Sequence, residues 1–91
     1  MTLRAYLLLN VLDDVDQPQF VKILRELERT PGVEFVDAVS GAYDMVIIVD
    51  TSTSIESFVA TVKEKAWVKN IEVLRIVSIF ERSSGVREGR M

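Results

Sequence analysis

The chain contains no cysteine and no histidine. The first absence excludes disulfides, thiolate metal sites and cysteine nucleophiles. The second removes the commonest metal ligand and the commonest general base. A basic surface is missing as well. Eleven Lys and Arg against 14 Asp and Glu leave a formal net charge of −3, and the sequence pI is near 4.9. That balance argues against an electrostatic footprint for duplex DNA. The N-terminus lacks the basic region, apolar stretch and small-residue cleavage site of a signal peptide. No apolar run approaches the roughly 18 residues of a membrane span, and no solenoid-type repeat or internal linker interrupts the body. These absences lead us to expect a soluble, cytoplasmic protein with no cofactor, no metal and no membrane partner.

What is present is apolar. Of the 91 residues, 48% are hydrophobic, a high share for one small domain, which at this length buries a little over roughly 60% of its unfolded surface. Leu3 to Leu12 carries Tyr6-Leu7-Leu8-Leu9 and Val11-Leu12 with no helical polar face, and reads as a first strand. Asp13-Asp14-Val15-Asp16 breaks it. Asp16 is placed to cap a helix with Pro18 in its first turn, where a missing N–H costs nothing. From Gln17 to Arg29 the residues Phe20, Val21, Ile23, Leu24 and Leu27 recur at helical spacing. Thr30-Pro31-Gly32 ends that helix.

A second strand, Val33 to Val39, is expected to point Val33 and Phe35 one way and Glu34, Val36 and Ala38 the other. The third, Asp44 to Asp50, is almost wholly apolar and β-branched. Between them Gly41 supplies a residue free to take φ > 0, and Asp44 one able to bond its own backbone. A polar, tyrosine-bearing connection of this kind suits a plain hairpin or a small-ligand pocket. A second amphipathic helix, Ile55 to Lys65, follows, capped by Ser54 with Ser57 or by Thr53 with Glu56 at capping-box spacing. Ala66 to Asn70 reads as a connector with Trp67 packed over the core edge, and Ile71 to Phe80 as the fourth strand. Lys63-Glu64-Lys65 and Lys69 read as the solvated end of the second helix. Residues 1–80 form the domain. Residues 81–91 are a polar tail expected to be mobile unless a partner orders it.

The order β-α-β-β-α-β is that of a ferredoxin-like α+β domain, with a four-stranded antiparallel sheet and both helices on one face. Such strands should alternate apolar and polar. Here they do not. Leu7, Leu9 and Val11 oppose Tyr6, Leu8 and Leu12, and Met45, Ile47 and Val49 oppose Val46 and Ile48. Ile71, Val73, Val77 and Ile79 oppose Leu74, Ile76 and Phe80. A second apolar face of that size exceeds what a monomer ordinarily exposes. The expected cover is the same face of another copy, giving a two-fold dimer.

The element order, Thr30-Pro31-Gly32-Val33, and the run Val39-Ser40-Gly41-Ala42-Tyr43-Asp44-Met45-Val46 together resemble the effector-binding (RAM) domain of the Lrp/AsnC, or feast/famine, transcription regulators. The resemblance covers Leu3 to Phe80, and Gly-x-Tyr-Asp between apolar strands is its most specific part. Family members usually carry a helix-turn-helix domain. This chain begins at the first strand, so the resemblance implies a stand-alone form without direct DNA binding. It further implies face-to-face homodimers that assemble into higher oligomers such as tetramers of dimers. An amino acid or related small effector would bind near the loop between strands two and three, and full-length family regulators are implied as partners. By that match Ser40, Gly41, Ala42, Tyr43 and Asp44 would line the effector site. Loop N–H groups would meet the effector's carboxylate, and Asp44 its ammonium group. For Asp44 a capping bond to the turn stands beside this reading.

Arg75 departs from the family pattern, which often has threonines on the fourth strand. It would pair with the effector's carboxylate or with an acid across the dimer. The resulting function is an effector-sensing and oligomerisation module of a transcription regulator, not an enzyme. The alternatives are a small cofactor-free enzyme of the dimeric α/β-barrel type, with only Asp44, Tyr43 and Tyr6 to offer, or an ACT-like regulatory module that pairs sheets side by side.

Overall fold

A computed structural model describes residues 3–76. Its elements are β1 (Leu3–Val11), α1 (Gln17–Glu28), β2 (Val33–Ala38), β3 (Met45–Thr51), α2 (Ile55–Lys63) and β4 (Val68–Arg75). The strands form one antiparallel sheet in the order β2-β3-β1-β4, which is the ferredoxin-like βαββαβ arrangement expected from the sequence. Residues 77–80 of the expected fourth strand, and the tail 81–91, lie outside the described residues.

Local chemistry places both helices. The Asp16 carboxylate accepts the Gln19 N–H at 2.9 Å while the Gln19 side chain accepts the Asp16 N–H at 3.0 Å, a complete capping box at the start of α1. At α2 the cap is Ser54, whose hydroxyl accepts the Ser57 N–H at 3.0 Å, so the Thr53–Glu56 alternative is not used. Gly32, at φ +93°, makes the turn that follows α1.

The core lies between the helices and one face of the sheet. Ala5, Leu7 and Leu9 of β1, Met45, Ile47 and Val49 of β3, and Val36 of β2 pack against Ile23 and Leu27 of α1 and Ile55 and Val62 of α2. Register confirms that the strand residues share a face, because Leu7 pairs with Ile47 and Val73, and Leu9 with Met45 and Ile71. The opposite face carries Tyr6, Leu8, Val46, Ile48 and Leu74 and is open in the single chain. Tyr6 is 40% exposed, Leu74 45% and Phe35 53%. Charged groups sit at one end of this face, where Arg4 meets Glu34 at 3.0 Å and Asp50 at 3.6 Å.

Two sequence expectations are corrected. In β2, Val33 pairs with Val49 but Phe35 with Ile48 and Val36 with Ile47, so a bulge at Glu34 inserts one residue. Val33 and Val36 therefore share the core side and Phe35 faces out, whereas strict alternation had put Val33 with Phe35. In β4 the strand begins at Val68 rather than Ile71. Lys69 and Asn70 are poor strand formers in isolation, but pairing of Asn70 with Asn10 and of Val68 with Val11 recruits them. Among the described residues, no helix is long and apolar enough to cross a membrane.

Candidate effector loop

The connection between β2 and β3, Val39 to Asp44, lies at the end of the sheet where β1 runs past the start of β3. The last β1–β3 pair is Leu9 with Met45. Beyond it Asp44 continues the ladder by other means. Its N–H donates to the Leu9 carbonyl at 2.8 Å, its carbonyl accepts the Val39 N–H at 3.0 Å, and its Oδ2 accepts the Val11 N–H at 2.8 Å. The carboxylate thus stands in for a strand carbonyl, a role distinct from a cap on the Gly41–Tyr43 turn. The Asn10 amide also donates toward Oδ2 at 3.5 Å. Oδ1 has no donor among the described residues.

Two residues outside the loop hold it in place. The Asn10 amide of β1 donates to the Ala42 carbonyl at 3.1 Å, and the Tyr43 hydroxyl donates to the Glu72 carboxylate of β4. Since β1 lies between β3 and β4, the Tyr43 side chain has to cross β1 to reach Glu72. The hydrogen bond to Glu72 is the main reason the Tyr43 phenol ionises above its ordinary value of 10.0, with desolvation and the carboxylate charge adding to it. Gly41 turns the loop at φ +126°, with open space where a Cβ would stand. A cleft of about 350 Å³ borders the loop, with Val11, Val15, Phe20, Val39 and Asp44 in its wall.

The structure brings Ser40, Gly41, Ala42, Tyr43 and Asp44 together on one loop, the first three exposed and Tyr43 and Asp44 half-buried. It does not bring Arg75 to them. Arg75 pairs in register with Ala5, whereas the loop lies beside Asn10, whose β4 partner is Asn70. Five residues of strand, about 17 Å at roughly 3.4 Å per residue, separate Asn70 from Arg75, and Glu72, which Tyr43 reaches, lies on the other side of β4 from Arg75. Arg75 projects to the helix side and ion-pairs with Glu56 in the first turn of α2. The Glu56 carboxyl is held below its usual range, first by its own backbone N–H and then by the Arg75 charge. Within this chain the acid that Arg75 meets is Glu56, and the reason is register: residues 71, 73 and 75 share the helix side.

Sequence reasoning missed Asn10 and Glu72. The signal was there in each case, an amide in the apolar run Leu7 to Leu12 and a carboxylate between Ile71 and Val73. Trp67 is half-buried against the core edge, as expected, and its carbonyl accepts the Leu12 N–H at 3.0 Å. Lys69 pairs with Asp13 at 3.3 Å. No group of three or more His, Cys, Asp or Glu among the described residues is placed to hold a metal ion.

No protein-family model matches the chain, and no curated protein does. Solved structures do. The transcriptional regulator NMB0573 of Neisseria meningitidis, solved with L-Met, superposes with a TM-score of 0.69 at 14% identity, over 85% of this chain and 51% of that one. The hypothetical protein PHS023 of Pyrococcus horikoshii gives a TM-score of 0.64 at 17% identity, over 86% and 92%. The protein FFRP-DM1 gives 0.63 at 16%, over 82% and 99%. Lrp/AsnC-family proteins are thus among the similar structures, and what this chain shares with them is the βαββαβ fold.

Proposed function

We propose that the chain belongs to the Lrp/AsnC family as a RAM-type domain spanning residues 1–80, and that it is a regulatory module sensing an amino acid or related small metabolite. The observation that carries the reading is the loop from Ser40 to Asp44. It is pinned to β1 and β4 by three side chains and carries one carboxylate oxygen, Asp44 Oδ1, with no donor among the described residues. The shared fold with a regulator that was solved with L-Met supports it. The effector's ammonium group meets Asp44 Oδ1 and its carboxylate meets loop N–H groups. Two copies pair through the open apolar face, and effector binding at a contact between dimers shifts the balance among larger assemblies. The net charge of −3 fits action in the cytoplasm through protein partners, full-length regulators of the family included, rather than on DNA directly.

The test is thermal unfolding at fixed protein concentration against a panel of free amino acids, with light scattering alongside. A ligand at a hundred times its Kd stabilises by about 2.7 kcal/mol, or about 10–20 °C for a domain of this size. Ala42→Glu, which places a like charge where the effector's carboxylate would sit, removes that shift without touching an anchoring bond. If no amino acid moves the midpoint, or the shift survives Ala42→Glu, the sensor reading fails.

A further inference from the structure

Glu72 lies on the open face of the sheet. It pairs in register with Leu8, whose β3 partner is Val46, so its carboxylate shares a face with Tyr6, Leu8, Val46 and Leu74. It is also the group that holds the loop's Tyr43. One carboxylate therefore belongs to two places, the apolar face and the polar loop. We propose that Tyr43, Glu72 and Asn10 form a latch that makes the closed state of the β2–β3 loop and the covering of the open face by a second copy favour each other. The inference rests on the reading that this face pairs with another copy.

The physical argument concerns where Glu72 finds a donor once water is excluded. In the single chain its carboxylate is exposed and solvated. Covering the face removes that water, and a carboxylate buried without a partner opposes association strongly. With the loop latched, the Tyr43 hydroxyl supplies the missing hydrogen bond. With the loop swung away, Glu72 is left unpaired. Covering the face thus selects the latched loop, and by reciprocity anything that stabilises the latched loop tightens the pairing. The movable part is short. Gly41 carries the unusual φ with open space on its Cβ side, and Asn10 to the Ala42 carbonyl is the second tie that must open. Asp44 stays fixed by backbone bonds to both neighbouring segments. Tyr43 and Asn10 act here as positioning residues, and Glu72 as the link.

The argument carries a sign that a merely stabilising contact would not. Tyr43→Phe leaves Glu72 without its donor and weakens pairing at least about tenfold in dissociation constant, the loss expected for one hydrogen bond to a charged group. Glu72→Met removes the charge that needs the donor, so pairing is as tight as in the parent chain or tighter. Tyr43→Phe then has no further effect in the Glu72→Met background. The experiment is a dilution series of the full chain and the three variants by sedimentation equilibrium, with amide hydrogen exchange at residues 41–43 as the second readout. Faster exchange in Tyr43→Phe and Glu72→Met, together with the non-additive dissociation constants, supports the latch. A dimer whose two single variants weaken pairing additively, or whose loop exchange is unchanged, overturns the latch and leaves the sensor reading standing. A chain that stays monomeric at all concentrations overturns both.

Discussion

Removing the Asp44 side chain tests the claim that a carboxylate replaces a strand carbonyl at the end of β1. Asp44→Ala strips the Val11 N–H of an acceptor at 2.8 Å in a part-buried position. A hydrogen bond to a charged group contributes about 1.5–3 kcal/mol, and an orphaned donor costs about 1–3 kcal/mol. Because the site is only part-buried and water can reach some of it, about 1–2.5 kcal/mol is the expected loss. For a domain of this length that lowers the thermal midpoint by roughly 4–20 °C. Asp44→Asn keeps an acceptor in place and loses about half as much. The assay is urea denaturation of parent and variants at one protein concentration, comparing midpoints at equal slope, since an altered slope would report a changed denatured state. A loss for Asp44→Ala below about 0.5 kcal/mol, the ordinary scatter of surface substitutions, would refute the reasoning.

Further expectations follow from other parts of the chain. The folded Tyr43 phenol ionises above its ordinary value because it donates to Glu72. Its contribution to stability is therefore full below about pH 10 and lost as pH rises through the raised value. Stability should fall more steeply above pH 10 in the parent than in Tyr43→Phe, as followed by circular dichroism with phenolate absorbance. Ile47→Ala in the core, where Ile47 is 0% exposed, should cost about 2–5 kcal/mol, read by denaturant midpoint. Leu74→Lys, on the open face, should leave the folded spectrum intact and dissociate the proposed dimer in light scattering. Gly41→Ala should destabilise through its backbone alone, by about 1–3 kcal/mol, since φ is +126° and nothing crowds the added Cβ.

Much of the fold was legible because its punctuation is chemical and local. Asp16 with Gln19, Ser54 with Ser57, and Thr30-Pro31-Gly32 each fix an element boundary from a few neighbouring residues. The apolar positions then choose helix or strand by period. What escaped was set by pairing between distant strands. The bulge at Glu34 exists only against β3, and without it Phe35 and Val33 would share a side. Val68 to Asn70 join β4 only because β1 offers partners. Ser40 to Asp44 could be singled out as a group from composition and resemblance. Asn10 and Glu72 could not be tied to that loop, since each lies about 30 residues from it and meets it only across the sheet. Arg75 looked unusual on its apolar strand. Its Glu56 partner depends on which side of β4 the register assigns to it.

The bulge in β2 has a consequence for how this chain behaves in a crowd. β2 is one of the two edge strands of the sheet, and a straight edge strand invites a neighbour's backbone to extend the ladder without limit. With Glu34 displaced from register, an incoming strand meets a kink and an off-pitch row of amides, and a carboxylate beside them. Open-ended growth along that rim is discouraged at high protein concentration. The bulge thus acts as a stop on one of the sheet's two edges, turning a register shift into protection against strand-by-strand stacking.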